Sequence, residues 1–180
     1  MAQIPFNFDV SVRARPWVNY ESYIKGITPS VIQKILILLE RPIANELSIA
    51  LVDDKEIQSL NKKFRNKNKA TNVLSFPSNG PTPILGEIIL SYETLKKEAE
   101  ELFIPFEHHL IHMMVHGFLH LQGFDHQTDQ EANIMEKLEV RVLSELNIDN
   151  PYKIEALAFV EYDIPPKIME FMEKYVDSNY

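Results

Sequence analysis

Cysteine is absent from this 180-residue chain. Disulfides and thiolate ligands are therefore excluded, and any metal must be held by nitrogen and oxygen donors. No apolar run approaches the about 20 residues that a helix needs to span a bilayer. The opening segment, M-A-Q-I-P-F-N-F-D-V, has neither the basic leader nor the apolar core of a signal sequence. A cytoplasmic location without a membrane partner fits these absences. Excess positive charge is lacking too: 18 Lys and Arg stand against 26 Asp and Glu, for a formal net charge of −8. Overall charge thus gives no hint of nucleic-acid binding, and any argument for it has to come from local patterning. Repeats and low-complexity segments are also missing. What is present, 45% hydrophobic and 24% charged residues, suits one soluble globular domain long enough to bury a core.

Periodicity predicts a strand over 4–12, where Ile4, Phe6, Phe8, Val10 and Val12 alternate. Helical patterning follows as a short piece over 17–24 and a helix over 29–39 with Pro29 at its start. A second strand, E-L-S-I-A-L-V, spans 46–52. Asp53 or Asp54 then caps a helix to about Phe64, with Ile57, Leu60 and Phe64 on one face. Short strands over 73–76 and 84–90 flank the breaker-rich loop S-N-G-P-T-P. From Glu93 the pattern is helical: 93–103, then 105–122, then 129–146, the last opened by a Thr128/Glu131 capping box. Four strands followed by a helical half predict an α+β domain with one four-stranded mixed sheet packed by five to six helices. The segment 1–152 reads as the domain and 153–180 as an extension. After Pro165 and Pro166 the extension has Ile168, Phe171, Met172, Tyr175 and Val176 at helical spacing, an amphipathic helix packed on its own domain, with a partner-binding face as the alternative.

The richest stretch is H-G-F-L-H-L-Q-G-F-D-H, His116 to His126. His116 and His120 are four residues apart, hence about 40° apart around a helix and one turn apart along it. Two such imidazoles can share one metal ion. Gly123 stands at a helix-stop position, where the chain can turn back and present His126 as a third nitrogen ligand. Three protein ligands with a fourth position open is the plan of a catalytic metal site, whereas structural sites close all four. All six histidines lie between His108 and His126. His112 and His116 share the same spacing and form an alternative pair, but only His120 adjoins the glycine stop. His112 then suits a hydrogen-bonding role near the site, and His108 and His109 suit ordinary helix positions. Asp125 reads equally as a ligand-orienting group and as a turn residue. The ligand spacing is also that of metzincin peptidases. Those enzymes carry a Glu directly after the first His, and here that position is Gly117, which cannot take a proton.

A second informative stretch runs L-N-K-K-F-R-N-K-N-K-A-T-N-V-L-S-F-P, Leu60 to Pro77. Lys62, Lys63, Arg65, Lys67 and Lys69 put five cations within an acidic protein's most basic segment. A solvated helix end whose cations complement the helix dipole accounts for part of this. A cationic loop beside a metal site also suits a polyanionic substrate, and Arg can grip a phosphate with two parallel hydrogen bonds.

These two blocks resemble those of the YbeY endoribonucleases, or rRNA maturation factors. The family signature H-G-x-L-H-L-x-G-Y/F-D-H is met at His116, Gly117, Leu119, His120, Leu121, Gly123, Phe124, Asp125 and His126. The earlier block, L-N-x-x-Y/F-R with T-N/D-V-L-S-F-P, is met at Leu60, Asn61, Phe64, Arg65 and 71–77. L-G-E-I at 85–88 and A-N-I-M-E-K-L-E from Ala132 follow in the expected order. The resemblance covers about 46–152. It implies a zincin-like α+β fold, one Zn2+ on His116, His120 and His126, and hydrolysis of single-stranded RNA in small-subunit rRNA 3′-end maturation and ribosome quality control. It further implies Arg65 as the cleft arginine. Ribosomal proteins and a ribosome-associated GTPase are the partners it suggests. Lys67, Asn72 and Ser75 are added here as further substrate contacts. Two departures stand out: the tail beyond about Lys153 is longer than usual, and the acidity favours a recruited or ribosome-associated substrate. Two other readings remain beside this one, a ribosome-assembly protein with a largely structural metal, and a metallopeptidase opposed by Gly117.

Overall fold

The computed structural model describes residues 6–40, 46–78 and 84–152. Four strands, β1 (Asn7–Val12), β2 (Glu46–Val52), β3 (Val73–Pro77) and β4 (Ile84–Ser91), form one sheet in the order β1-β2-β4-β3. β1, β2 and β4 are mutually parallel, and β3 pairs antiparallel with β4 at the edge. The helices are α1 (Glu21–Leu38), α2 (Asp54–Arg65), α3 (Tyr92–Glu101), α4 (Phe106–Leu121) and α5 (Asp129–Glu145), with a short 3-10 turn at Arg15–Asn19. This is the expected α+β architecture with a mixed four-stranded sheet. No helix among the described residues is long and apolar enough to cross a membrane.

Successive strand residues point to opposite faces, and both faces of the sheet are buried. Leu47, Ile49 and Leu51 of β2 and Ile88 and Leu90 of β4 meet α1, α4 and α5 in the main core. Ala50, Val52, Leu74 and Ile89 turn the other way and pack under Ile57 of α2. α4 is apolar nearly all round and runs through the middle of the main core, with twelve of its sixteen residues buried, as such helices must be. His116 and His120 of the metal motif therefore sit on a helix that is buried along most of its length.

Two details differ from the sequence-based expectation. One 18-residue helix runs through Pro29 instead of starting there. The proline removes one helical hydrogen bond, but Lys25 and Pro29 lie on the exposed face, where the freed carbonyl of Lys25 reaches water. One residue earlier the Thr28 hydroxyl donates to the Ile24 carbonyl at 2.6 Å. Phe64 does not share the buried face of Ile57; it is 56% exposed at the end of α2. The loop breakers at 79–83 and the extension 153–180 with its amphipathic pattern lie outside the described residues.

Candidate metal centre

α4 ends in a turn that builds the site. Gly123 adopts φ +92°, its N–H reaches the His120 carbonyl at 3.0 Å, and the Phe124 N–H reaches Leu119 at 3.1 Å. This paired 5→2 and 6→1 closure is the Schellman stop that glycine permits. The chain reverses, and His126 returns to the helix. The Asp125 carboxylate accepts the His126 N–H at 2.8 Å and the Gln127 amide at 2.7 Å, so Asp125 shapes the returning turn. Its backbone hydrogen bond to His126 is the main cause that lowers its pKa.

His116, His120 and His126 each present a ring nitrogen, and these atoms all lie within 4.8 Å of one another. His120 Nδ1 stands 2.9 Å from the Phe124 carbonyl. A carbonyl only accepts, so the hydrogen sits on Nδ1 and His120 Nε2 carries the lone pair. His116 Nδ1 is 2.7 Å from Glu139 Oε1, which by the same logic turns a lone pair outward on its Nε2. The two Nε2 atoms face each other at 3.1 Å. Lone pairs so arranged repel unless a cation lies between them. Tetrahedral zinc with bonds of about 2.0–2.1 Å would set ligand nitrogens roughly 3.3 Å apart, so the donor set fits a divalent ion. Burial first, then the neighbouring His116, hold the His120 imidazole down to about 4, leaving it neutral and able to ligate at neutral pH.

Glu139 on α5 is the hub behind this cluster; it is the last residue of the A-N-I-M-E-K-L-E block, although nothing in that block gives it this role. It is 1% exposed. His112 Nε2 lies 2.8 Å from its Oε2, His116 Nδ1 lies on its Oε1, and the Tyr152 hydroxyl donates to Oε2 as well. Burial works against its charge, but the hydrogen bonds from His112 and His116 outweigh burial and bring the carboxyl to about 2. The Tyr152 hydroxyl is pushed well up by burial and by the Glu139 charge. His112 is thus engaged behind the site through Glu139, in the hydrogen-bonding role expected of it, and is not part of the three-nitrogen cluster. An open cavity of about 240 Å³ adjoins His116 and His126, and Glu136 of α5 lies on its wall. Burial first, then the Glu139 charge, raise the Glu136 carboxyl.

The other expected site residues fall elsewhere. The Ser75 hydroxyl is buried and donates to the Gly117 carbonyl at 3.0 Å. The Asn72 amide donates to both Glu98 oxygens at 3.2 and 3.1 Å, and its own oxygen accepts the Val73 N–H at 2.7 Å. Both were expected to meet substrate; instead their polar groups tie β3 to α4 and α3, where a buried donor must find a protein partner. Arg65 and Lys67 are exposed at the end of α2 and in the loop after it. No hydrogen bond or ion pair among the described residues joins either to the histidines. They stand on the α2 face of the edge strand, across β3 from α4. His109, taken as an ordinary helix position, is buried and lies 2.7 Å from Glu98.

Gly117 has a structural cause. A Cβ there would lie 3.0 Å from Ser75 Oγ and 3.2 Å from Ile88 and Val73 methyls. The position where a metzincin carries its Glu is pressed against the sheet, and a side chain there requires Ser75, Ile88 and Val73 to give by a few tenths of an ångström.

The sequence profile described as Endoribonuclease YbeY matches residues 15–147. A protein named Endoribonuclease YbeY from Methylocella silvestris is 44% identical over 88% of this chain and 92% of that relative. Its namesake from Sinorhizobium fredii is 42% identical over 81% and 91% of the two chains. The solution structure of TM1509 from Thermotoga maritima is similar in fold, with a TM-score of 0.51, 21% identity, and coverage of 82% of this chain and 97% of that one. The profile spans β2, β3 and β4, α4 with its histidines and α5 with Glu139, and with these relatives it shows that the chain belongs to the YbeY endoribonuclease family.

Proposed function

We propose that this protein is a metal-dependent endoribonuclease that cuts single-stranded RNA in the 3′-end maturation of small-subunit rRNA. The observation that supports it most is the facing pair of Nε2 lone pairs at 3.1 Å, each pinned from behind by an acceptor on its Nδ1. In this reading His116, His120 and His126 hold one Zn2+ per chain. When bound, the ion supplies Lewis acidity at a phosphate oxygen.

The chain's own groups do the rest. Glu139 keeps the His116 hydrogen on Nδ1 and its ring turned to the cluster. The Phe124 carbonyl does the same for His120. Arg65 holds the scissile phosphate in a two-pronged hydrogen bond and offsets the charge that grows on it as the P–O bond breaks. Lys67 adds a point charge along the strand. Asn72 and Ser75 act through the scaffold: they fix the edge strand to Glu98 and Gly117. The net charge of −8 disfavours unaided scanning along RNA, and suits a substrate delivered on the ribosome, with ribosomal proteins or a ribosome-associated GTPase as partners and the cytoplasm as location. A peptidase is disfavoured by Gly117, which carries no catalytic carboxylate.

The test is cleavage of an end-labelled single-stranded RNA by zinc-loaded protein beside His116→Ala and Arg65→Ala prepared identically. Cleavage by the wild type that both variants lose supports the assignment. Equal cleavage by all three points to a contaminating nuclease. No cleavage by any, with zinc bound, moves the protein to the assembly-factor reading. A 2′-deoxy substitution at the cut site then separates attack by the 2′-hydroxyl, which leaves a 2′,3′-cyclic phosphate, from attack by water.

A further inference from the structure

Six cations among the described residues have ion-pair partners. Arg13 pairs with Glu56 and Glu87, Lys25 with Glu21, Lys34 and Arg141 with Glu145, Lys96 with Glu100 and Lys97 with Glu101. Lys62, Lys63, Arg65, Lys67 and Lys69 differ: all five are exposed, and none has an ion-pair partner among the described residues. In a chain with 26 acidic residues against 18 basic ones, five adjacent unpaired cations mark a place kept for an external anion.

The segment is also held in shape. Asn66 closes α2 in the left-handed conformation. The buried Asn61 accepts the Lys67 N–H on its carbonyl at 3.2 Å and donates its amide to the Lys69 carbonyl at 2.8 Å. Ordering a ligand against a prearranged loop costs less than against a floppy one.

In the middle of these cations stands Phe64. It is 56% exposed, leans edge-on against Phe76 of the edge strand with ring centroids 5.1 Å apart, and carries the Lys63 ammonium 5.0 Å from its ring centre. A large aromatic ring left in water on a chain able to bury it has no use in the core. A ring fixed by a second ring and flanked by cations is the combination that binds single-stranded nucleic acid, because every base offers a π-face and every nucleotide a phosphate. Its place suits the site already described. Phe76 follows Ser75, whose hydroxyl touches α4 at Gly117, next to His116. A strand crossing the β3 edge would meet the ring on one side and the histidines on the other.

We propose that Phe64, propped by Phe76 and ringed by Lys63 and Arg65, is a base-stacking platform that binds one nucleobase of a single-stranded RNA beside the phosphate grip. The proposal rests on the RNA reading above. It adds a contact to the base, which phosphate-binding cations alone do not supply and which distinguishes a single-stranded nucleic acid from a polyanion without bases.

The test is fluorescence anisotropy with two labelled 12-mers of 2′-O-methyl ribose, one of uridines and one abasic, checked on a gel for integrity. They carry the same phosphates, and only one carries bases. Full-length wild type, Phe64→Ala, Phe64→Trp and Arg65→Ala are compared, with thermal melts to confirm folding. The platform predicts that Phe64→Ala weakens uridine binding about 5- to 100-fold, leaves abasic binding unchanged, and that Phe64→Trp restores it. Arg65→Ala should weaken both alike. Equal uridine binding by wild type and Phe64→Ala overturns the platform and leaves the RNA reading standing. Equal weakening of both oligomers by Phe64→Ala also overturns it, since the ring would then act only by placing the cations. Failure of the wild type to bind either oligomer overturns the RNA reading and the platform with it.

Discussion

Two glutamates on different helices reach α4, and each ends on a histidine at 2.7 Å. Glu139 comes from α5 to His116, and Glu98 comes from α3 to His109. The pairs are alike in distance and chemistry, and in each the carboxyl is lowered by its hydrogen bonds against the opposing effect of burial. They differ in what the other ring nitrogen faces. His116 turns Nε2 toward His120 and His126. His109 turns Nδ1 into the protein, buried and without a hydrogen-bond partner among the described residues, while Glu98 goes on to clamp Asn72 at the start of β3. The same pairing thus orients a ligand where the far nitrogen meets other imidazoles, and ties strand to helix where it meets apolar packing. A buried Glu–His contact is no sign of chemistry until its second nitrogen is traced.

The largest separation of the two should come from removing the histidines. His116→Ala is expected to abolish stoichiometric metal binding by the purified protein, whereas His109→Ala should keep it and lose about 1–3 kcal/mol of stability for the lost hydrogen bond to Glu98, which keeps only Asn72; metal analysis and thermal melts of both variants measure this. Next come the glutamates. Glu139→Gln should lower metal affinity about 10- to 100-fold, read by competition with a chromophoric chelator, and Glu98→Gln should leave it unchanged. If both variants lose affinity equally, the division into ligand support and scaffold fails.

Gly117→Ala probes the helix that both pairs share. Its Cβ would press on Ser75, Ile88 and Val73, so a loss of about 1–3 kcal/mol is expected from chemical denaturation. The smallest effect is in acid. Glu98 in the folded protein is held below its ordinary 4.5 by His109 and Asn72, burial opposing. A lowered carboxyl contributes stability above its unfolded value and loses it as pH falls through the folded one. The stability gap between wild type and Glu98→Gln should therefore be steady at neutral pH and narrow as pH drops below about 4.5. A gap that widens there would contradict the pairing.

Local signals carried much of this into the sequence. The apolar run of β2, the Asp53 cap, the capping box at Thr128 and the glycine stop at Gly123 all act within a few residues, and each element stands where the sequence places it. Glu139 was legible only as the last residue of the A-N-I-M-E-K-L-E block; its role was not, because it lies 23 residues from His116 on a helix rich in other acids, and nothing local gives it a role distinct from that of Glu136. Asn72 and Ser75 were misplaced for the reverse reason: they stand beside a basic segment in sequence, but strand alternation turns Ser75 into the sheet–helix interface and a distant Glu98 claims Asn72. Pro29 resembles a helix start because a proline inside a helix is costly. Only the exposure of Lys25, known once the face is known, removes most of that cost.

The most direct measurement is zinc K-edge X-ray absorption on the zinc-loaded protein, with metal content determined on the same sample. The account predicts one zinc per chain, with three imidazole nitrogens at about 2.0–2.1 Å that persist in His109→Ala and are disrupted in His116→Ala. A shell with fewer than three imidazoles, or one that His116→Ala leaves intact, would contradict it.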